Sequence, residues 1–564
     1  MTFGMILTAI LISVTNLTIT EPVDGETYDG DWLSVRAIVE NENEQPDSVH
    51  YSLNGQPVVL IPRLNTDWYT YMANDLHTGY SDSPAPTDNT ILWTAPVTGD
   101  SHEFPTPVIV DGIVYYPSND GTDSLYALNA ATGELIWKYW VGYSDDAVTV
   151  KDGYLYIASD SLWCLDALNG EMIWATDEAD RGGSTPSVVD GRVYCGRNEG
   201  WPSDTSYVYC FDAATGSETW CDTLKRMVSC MTVWNGVVFV PTYRSNLSSP
   251  LYALDALTGA IIWENTDAFE GYWDSSPVVH DGIIYINGVY GSTFAIDAMT
   301  GITVWESPVS PGDYSITATP AYHDGRLYFA DQIDTYHCLD ASSGSTIWSV
   351  PGIQHGSSGI ADGIVFYGEI NNPDGARVIA LDCDTGEEIW SYTTGADDIY
   401  SSPAITDGVV YIAGMDWNLY AFGTGLKYTY LDDLFAELGS NELIVTSFDG
   451  GTAVAADTIN FTVSQTGITV EPSSRLALSA SPNPFYSAAS ISFELSEPGW
   501  TSVTVYDLSG RIVRTLENSE LGTGQHSIVW DGRRENGEGV SAGLYICRIQ
   551  SGGVSETTGL CLLR

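Results

Sequence analysis

One short phrase returns through most of the chain. It first reads Tyr126-Ala127-Leu128-Asn129-Ala130-Ala131-Thr132-Gly133-Glu134-Leu135-Ile136-Trp137, and six variants follow, ending at Trp174, Trp220, Trp263, Trp305, Trp348 and Trp390. Successive tryptophans stand 37 to 46 residues apart. That spacing is the length of one four-stranded propeller blade, a unit that hides its apolar faces only by stacking on its neighbours. Each unit carries a second marker upstream, as in Thr106-Pro107-Val108-Ile109-Val110-Asp111-Gly112-Ile113-Val114-Tyr115. Asp-Gly or Asn-Gly pairs begin at 111, 152, 190, 235, 281, 324, 362 and 407. Such a pair between apolar residues predicts a tight hairpin, because a primed turn needs positive φ. The Thr-Gly or Ser-Gly pair ahead of most tryptophans marks a second hairpin. One unit is therefore strand A, Asp-Gly turn, strand B, loop, strand C, turn, strand D.

Eight A–B hairpins stand against seven complete C–D hairpins. The eighth unit stops at Leu419-Tyr420-Ala421-Phe422-Gly423-Thr424-Gly425, with no tryptophan after it. The missing strand has a donor at Ile91-Leu92-Trp93, ahead of the first unit. The expected fold is all-β: an eight-bladed propeller closed by an N-terminal strand, with no free sheet edge at the join, plus Ig-like β-sandwich domains. The only helical run expected is a short one near Leu431–Leu438.

These residues resemble the pyrroloquinoline-quinone-type (PQQ-like) propeller family, whose blades carry Ala-x-Asp-x-x-x-Gly-x-x-x-Trp. Ala127, Asn129, Gly133 and Trp137 match it in the first unit, and Ala253, Asp255, Gly259 and Trp263 in the fourth. The stretch Asp75–Ser81 is similar to the usual lead-in of such propellers. The resemblance implies the fold; a fold hosts many activities. Its enzymes are quinone-dependent alcohol or sugar dehydrogenases, which hold the cofactor at the axis with a tryptophan, often an adjacent cysteine pair, a calcium ion and a catalytic Asp. This chain has no adjacent cysteines and no haem motif. Its aspartates are accounted for by the turns and the Leu-Asp motif. PQQ and calcium are therefore not expected, and no catalytic, cofactor or metal residue is nominated. Trp93, Trp137, Trp174, Trp220, Trp263, Trp305, Trp348 and Trp390 read as docking residues between blades. His77, His280, His323 and His355 lack metal-ligand spacing; His280 and His323 share one repeat position, just before Asp-Gly, and read as surface or packing residues.

Charge narrows the partners. Lys and Arg total 20 against 74 Asp and Glu, a formal charge of −54. Such a field repels nucleic acid and anionic membranes. No stretch reads as a transmembrane span. The apolar run within 1–16 is signal-peptide-like, too short to span a bilayer, although it lacks a basic start. Nine cysteines show no paired zinc spacing; Cys164, Cys210 and Cys338 take the Ala position of the motif and read as core thiols.

The flanks complete the plan. Residues 17–72 read as the first part of an Ig-like domain and 426–464 as its second part, with the propeller, 73–425, inserted between. Residues 465–476 read as a linker. Residues 477–564 resemble the C-terminal sorting domain of type IX-secreted proteins and the Ig-like domain of flagellar hook-capping proteins. The matching residues are Ser481-Pro482-Asn483-Pro484-Phe485, Val505-Tyr506-Asp507-Leu508-Ser509-Gly510-Arg511 and Gly543-Leu544-Tyr545. This resemblance implies engagement of a secretion machinery through 477–564, followed by release or surface attachment. The expected function is that of a secreted or cell-surface, non-catalytic propeller that binds an extracellular protein or glycan. The alternatives are a PQQ-dependent dehydrogenase and, by family resemblance, an outer-membrane assembly scaffold. Recognition is expected on the face of uneven D–A and B–C loops, through Trp140, Trp201, Tyr272, Trp273 and Tyr314.

Overall fold

A computed structural model describes the chain except residues 1–13, 22–26, 30–31, 42–47, 54–58, 62–65, 98–104, 119–122, 145, 178–183, 199–204, 244–248, 268–274, 310–315, 317, 371, 373, 436–438, 450–451, 465–478, 482–487, 496–498, 507–511, 535–539, 541–542, 552–553 and 563–564. The described residues form strands and turns and no α-helix.

Eight antiparallel sheets follow the eight repeats. Blade 1 runs from strand A at Val108–Val110, through Ile113–Ser118 and Ser124–Asn129, to strand D at Leu135–Trp140. Blades 2 to 7 begin with strands A at Thr149–Lys151, Ser187–Val189, Thr232–Trp234, Val278–His280, Ala321–His323 and Gly359–Ala361. Blade 8 takes its first three strands from Ala404–Thr406, Val409–Gly414 and Asn418–Phe422, and its fourth from Ile91–Pro96. Trp93 faces Ala421 across that join. Strand A of blade 8 lies beside strand A of blade 1, so the ring closes.

The motif residues explain the seams. The indole N–H of each strand-D tryptophan donates to a carbonyl of the next blade: Trp137 to Ala167 at 3.1 Å, Trp174 to Ala213 at 3.0 Å, Trp220 to Ala256 at 3.0 Å, and Trp93 to Ala130 at 2.8 Å. Trp263, Trp305 and Trp348 do the same toward Ala298, Ala341 and Cys383. Trp390 donates to Pro86, which stands in for the alanine where blade 8 is split. Apart from that of Trp390, each ring lies against the motif glycine of the next blade. A Cβ on Gly216 would stand 2.5 Å from Trp174 Cε3, so no larger residue fits without displacing the ring. The motif aspartate holds the turn: Asp255 Oδ1 accepts from Leu257 N, Thr258 N and Thr258 Oγ1 at 3.1, 2.8 and 2.7 Å. At the A–B turns Asp281 and Gly282 adopt φ of 47° and 77°, the pair of positive angles a primed turn demands.

The strands on either side of the propeller share two sheets. One is Val14–Glu21, Trp32–Asn41 and Leu426–Phe435. The other orders Thr27–Asp29, Thr452–Ser464, Gly439–Asp449, Ser48–Leu53 and Val59–Ile61. The expected helix near Leu431–Leu438 is corrected here. Residues 426–435 pair in unbroken register with 32–41, from Leu426 opposite Asn41 to Phe435 opposite Trp32, while 436–438 fall outside the described residues. A short helical run cannot offset its nucleation cost when a full-length strand partner is present.

Residues 465–564 form a separate compact unit. Its strands make a three-stranded and a four-stranded sheet around Trp530, Val503, Val505, Ile491 and Cys547, all fully buried. In the last hairpin Cys547 faces Thr558 and Leu544 faces Cys561, so the two cysteines are not opposed.

Candidate functional site

In a propeller of this family the axis is the first place to look. Here the chain itself runs through it. Residues 66–81, which precede the first blade, pass along the inner strands and bond to a different blade at nearly every step. Thr66 Oγ1 donates to Asp407 Oδ1 of blade 8 at 3.1 Å. Trp68, fully buried, exchanges both backbone bonds with Ile109 of blade 1 at 2.9 Å. Val150 N of blade 2 donates to Tyr69 O at 2.8 Å, and Thr70 meets Thr149 at 2.7 Å. His77 Nδ1 sits 3.0 Å from Thr232 Oγ1 of blade 4. Val279, Tyr322 and Ile360 of blades 5, 6 and 7 donate their N–H groups to Leu76, Thr78 and Gly79. These inner strands have no neighbour on their axial side, and the segment satisfies donors that burial would otherwise leave orphaned. Met72 and Ala73 are buried at the turn of the segment. Lys151 Nζ pairs with Asp75 Oδ2 at 2.7 Å and lies over the Tyr69 ring. Burial holds His77 neutral, its pKa lowered to about 3.

One end of the axis is rimmed by the residue five positions before each turn aspartate or asparagine: Thr106, Ala147, Thr185, Cys230, Ser276, Thr319, Ser357 and Ser402. Neighbours are linked around the rim. Ser276 N donates to Thr319 Oγ1, Thr319 N to Ser357 Oγ and Ser357 N to Ser402 Oγ, each at 2.8 Å. Tyr71 OH reaches Thr319 Oγ1 at 3.1 Å and Ser357 Oγ at 2.9 Å. Burial, reinforced by Asp146, pushes the Cys230 thiol up to about 12, so it is no nucleophile at neutral pH.

The quinone and calcium carried by dehydrogenases of this fold can be tested against these residues. Calcium takes six to eight oxygens, usually with several carboxylates. Among the described residues the rim supplies neutral hydroxyls, several of them accepting a neighbour's N–H, and the carboxylate of Asp146 beside Cys230. Among the described residues no three His, Cys, Asp or Glu side chains converge. Among the described residues the rim does not offer the carboxylates that calcium takes.

Of the residues expected on the loop face, Trp140 is 55 % exposed, its ring edge-on to Trp163 at 6.2 Å. Trp201, Tyr272, Trp273 and Tyr314 lie outside the described residues. Sequence reasoning missed the axial segment, whose bonds follow no repeat. It also set aside His280 and did not single out Tyr322; the two line an open groove on the opposite face, that of the tight turns. The available signal was departure from the repeat: Tyr322 holds a position that is Ile or Val in every other blade.

Comparison with known proteins agrees with the architecture. A PQQ-repeat family model described as outer membrane protein assembly factor BamB matches residues 121–204, 158–315, 204–349 and 337–427. These overlapping windows cover more than half of the chain. A model described as FlgD Ig-like domain matches 482–553. The basal-body rod modification proteins FlgD of Salmonella typhimurium and Salmonella typhi are 43% identical to this chain over 53 residues, 9% of it and 23% of their own length; the chain thus spans about a quarter of those relatives. Among solved structures, the quinohemoprotein alcohol dehydrogenase from Comamonas testosteroni aligns with TM-score 0.52 and 16% identity over 66% of this chain and 82% of that one. ADHIIG of Pseudomonas putida HK5 aligns with TM-score 0.52 and 17% identity over 74% and 83%. At such identities the likeness is one of fold. Among the described residues no helix is long and apolar enough to cross a membrane.

Proposed function

The chain belongs to the PQQ-repeat propeller family described as outer membrane protein assembly factor BamB, and on that premise we propose that it is a non-catalytic binding protein of the cell envelope or exterior. The observation that carries this reading is the axial segment. Residues 66–81 run along the inner strands, the region where the resemblance would put a cofactor, and are hydrogen-bonded to strands of seven blades. The ligand in this reading is an extracellular protein or glycan, met by the loop aromatics Trp140, Trp201, Tyr272, Trp273 and Tyr314. Rigid blades carrying uneven loops suit recognition, and exposed aromatics suit sugar rings or peptide anchors.

The test is reconstitution of the full chain with the quinone and calcium, followed by dye-linked oxidation of alcohols and sugars. No dye reduction above the cofactor-free background is expected. Sustained turnover would overturn the reading and establish the dehydrogenase alternative. Membership in a family so described favours a second reading, a scaffold for outer-membrane assembly; co-purification with a β-barrel protein from an envelope extract would support it.

We further propose that 477–564 directs export as a type IX sorting domain. Its separation as a compact unit supports a portable module. A reporter fused to this segment should reach the medium or outer surface of a competent host. Retention in the periplasm would leave it a plain Ig-like module.

A further inference from the structure

On the face of tight turns an open groove of about 460 Å³ lies between blades 5 and 6. Three aromatic rings are stacked there: Tyr322 lies 4.1 Å from His280 and 5.6 Å from Tyr285, with interplanar angles of 27° and 16°. The His280 side chain is 41% exposed, which leaves ring surface open to a visitor. Two turn carboxylates line the same groove, Asp324 and Asp281; the Asp281 side chain is 92% exposed and its Oδ2 stands 3.5 Å from His280 Nε2.

Two departures from the repeat show that blade closure does not explain this arrangement. The tyrosine hydroxyl of strand B in blades 1, 2, 3, 6 and 8 donates to the next blade's seam carbonyl, as Tyr115 does to Ala167, Tyr194 to Ala256 and Tyr411 to Ala130. In blade 5 the equivalent is Tyr285. It is 6% exposed, lines the groove, and its hydroxyl makes no such bond among the described residues. Its ring stacks on Tyr322, the residue that replaces the Ile or Val of every other blade. The seam itself is intact, since Trp305 still donates to Ala341 at 3.0 Å.

The charge balance selects the visitor. Among the described residues the one lysine or arginine lining the groove, Arg326, is already engaged: its Nη1 lies 2.6 Å from Asp384 Oδ1 and 3.2 Å from Cys383 O. No further lysine or arginine among the described residues lines the groove to meet an anion. Ring faces beside carboxylates are the recognised setting for an ammonium or guanidinium group, and the chain's −54 charge draws cations toward it. The phenol oxygen of Tyr285 is a further acceptor for an N–H donor. We propose that this groove takes the lysine or arginine side chain of a partner protein. The inference rests on the binding reading above but names a different face from the loop aromatics.

The test uses the full-length protein at physiological salt and a ligand of one charge, Nα-acetyl-lysine methylamide, followed by ligand-observed NMR. Its neutral isostere, Nα-acetyl-norleucine methylamide, and maltose are run alongside. The lysine probe should bind, and the neutral probes should bind at least tenfold more weakly. Tyr322→Val, which restores the residue type of the other blades, and Asp281→Asn/Asp324→Asn should each weaken it about tenfold. Asp152→Asn/Asp190→Asn removes the same charge at the turns of blades 2 and 3 and should change nothing. His280→Ala, at a half-open position, gives a second reading if Tyr322→Val melts early. Equal losses in both Asp pairs would reduce the effect to diffuse charge and sink the proposal. Maltose binding in preference to the lysine probe would sink it also. Turnover in the quinone assay would instead strike the binding reading as a whole, so the two failures are distinguishable.

Discussion

The seams between blades and the axis they surround are held by opposite means. At the seams one arrangement is used again and again: a tryptophan N–H on a carbonyl, a ring on a glycine, an aspartate bridging a turn. Along the axis nothing repeats. Each step of residues 66–81 uses a different group, here a backbone carbonyl, there a threonine hydroxyl, elsewhere an imidazole. A repeated seam tolerates drift in any one copy because the others set the geometry. A single thread through seven unequal neighbours has no such template.

That contrast can be broken from either side. The largest effect is expected at a seam. Trp220→Ala removes a buried indole and its bond to Ala256, a loss of about 3–5 kcal/mol, read as a lowered unfolding midpoint of the propeller. If the seams are interchangeable, Trp174→Ala and Trp305→Ala should cost about the same, and a spread wider than the range itself would break the equivalence. The axis gives the next effect, and a distinct signature in pH. His77 has a folded pKa of about 3 against an ordinary value of 6.5. The unfolded chain binds the proton first, so this contribution is complete above pH 6.5 and is lost as pH falls toward 3. At about 1.4 kcal/mol per pH unit, acidification from 6.5 to 4 should cost the wild type about 3 kcal/mol more than it costs His77→Gln. Parallel stability–pH curves for the two proteins would show that His77 is not held neutral. The smallest effect is at a turn. Thr258→Val removes one hydroxyl donor from Asp255 and should cost about 0.5–1.5 kcal/mol, with urea unfolding as the measurement. A larger loss would mean that the turn does more than brace its own hairpin.

The same contrast explains what could be read in advance. The blades were legible because Trp220, Gly259 and Asp255 recur at fixed spacing, and a residue that recurs declares its job by its position. The closing strand was legible by subtraction, since one tryptophan was missing and Trp93 was spare. The axial route of Trp68, Thr70 and His77 was not. These residues carry no periodicity, and their partners, 79 residues away for Thr70 and 155 for His77, are chosen by the closed ring rather than by local pattern. The groove at Tyr285 and Tyr322 was half legible. Tyr322 departs from the Ile or Val of its repeat position, a signal the sequence carried but the reading passed over, and only the structure shows that Tyr285 departs from its own repeat role. The strand at 426–435 misled because its apolar and acidic residues suit a short helix, and the partner that decides the matter lies at 32–41.

The strands that flank the propeller have a mechanical consequence. A pull applied between residues 14 and 464 first meets the parallel pairing of Thr27–Asp29 with Thr462–Ser464, and behind it the pairings of Ser48–Leu53 with Gly439–Asp449 and of Trp32–Asn41 with Leu426–Phe435. The whole propeller hangs between Ile61 and Leu426, behind those clasps, as slack that bears no load until they rupture. Under shear the two flanking sheets act as a fuse, and the ring stays folded until it blows.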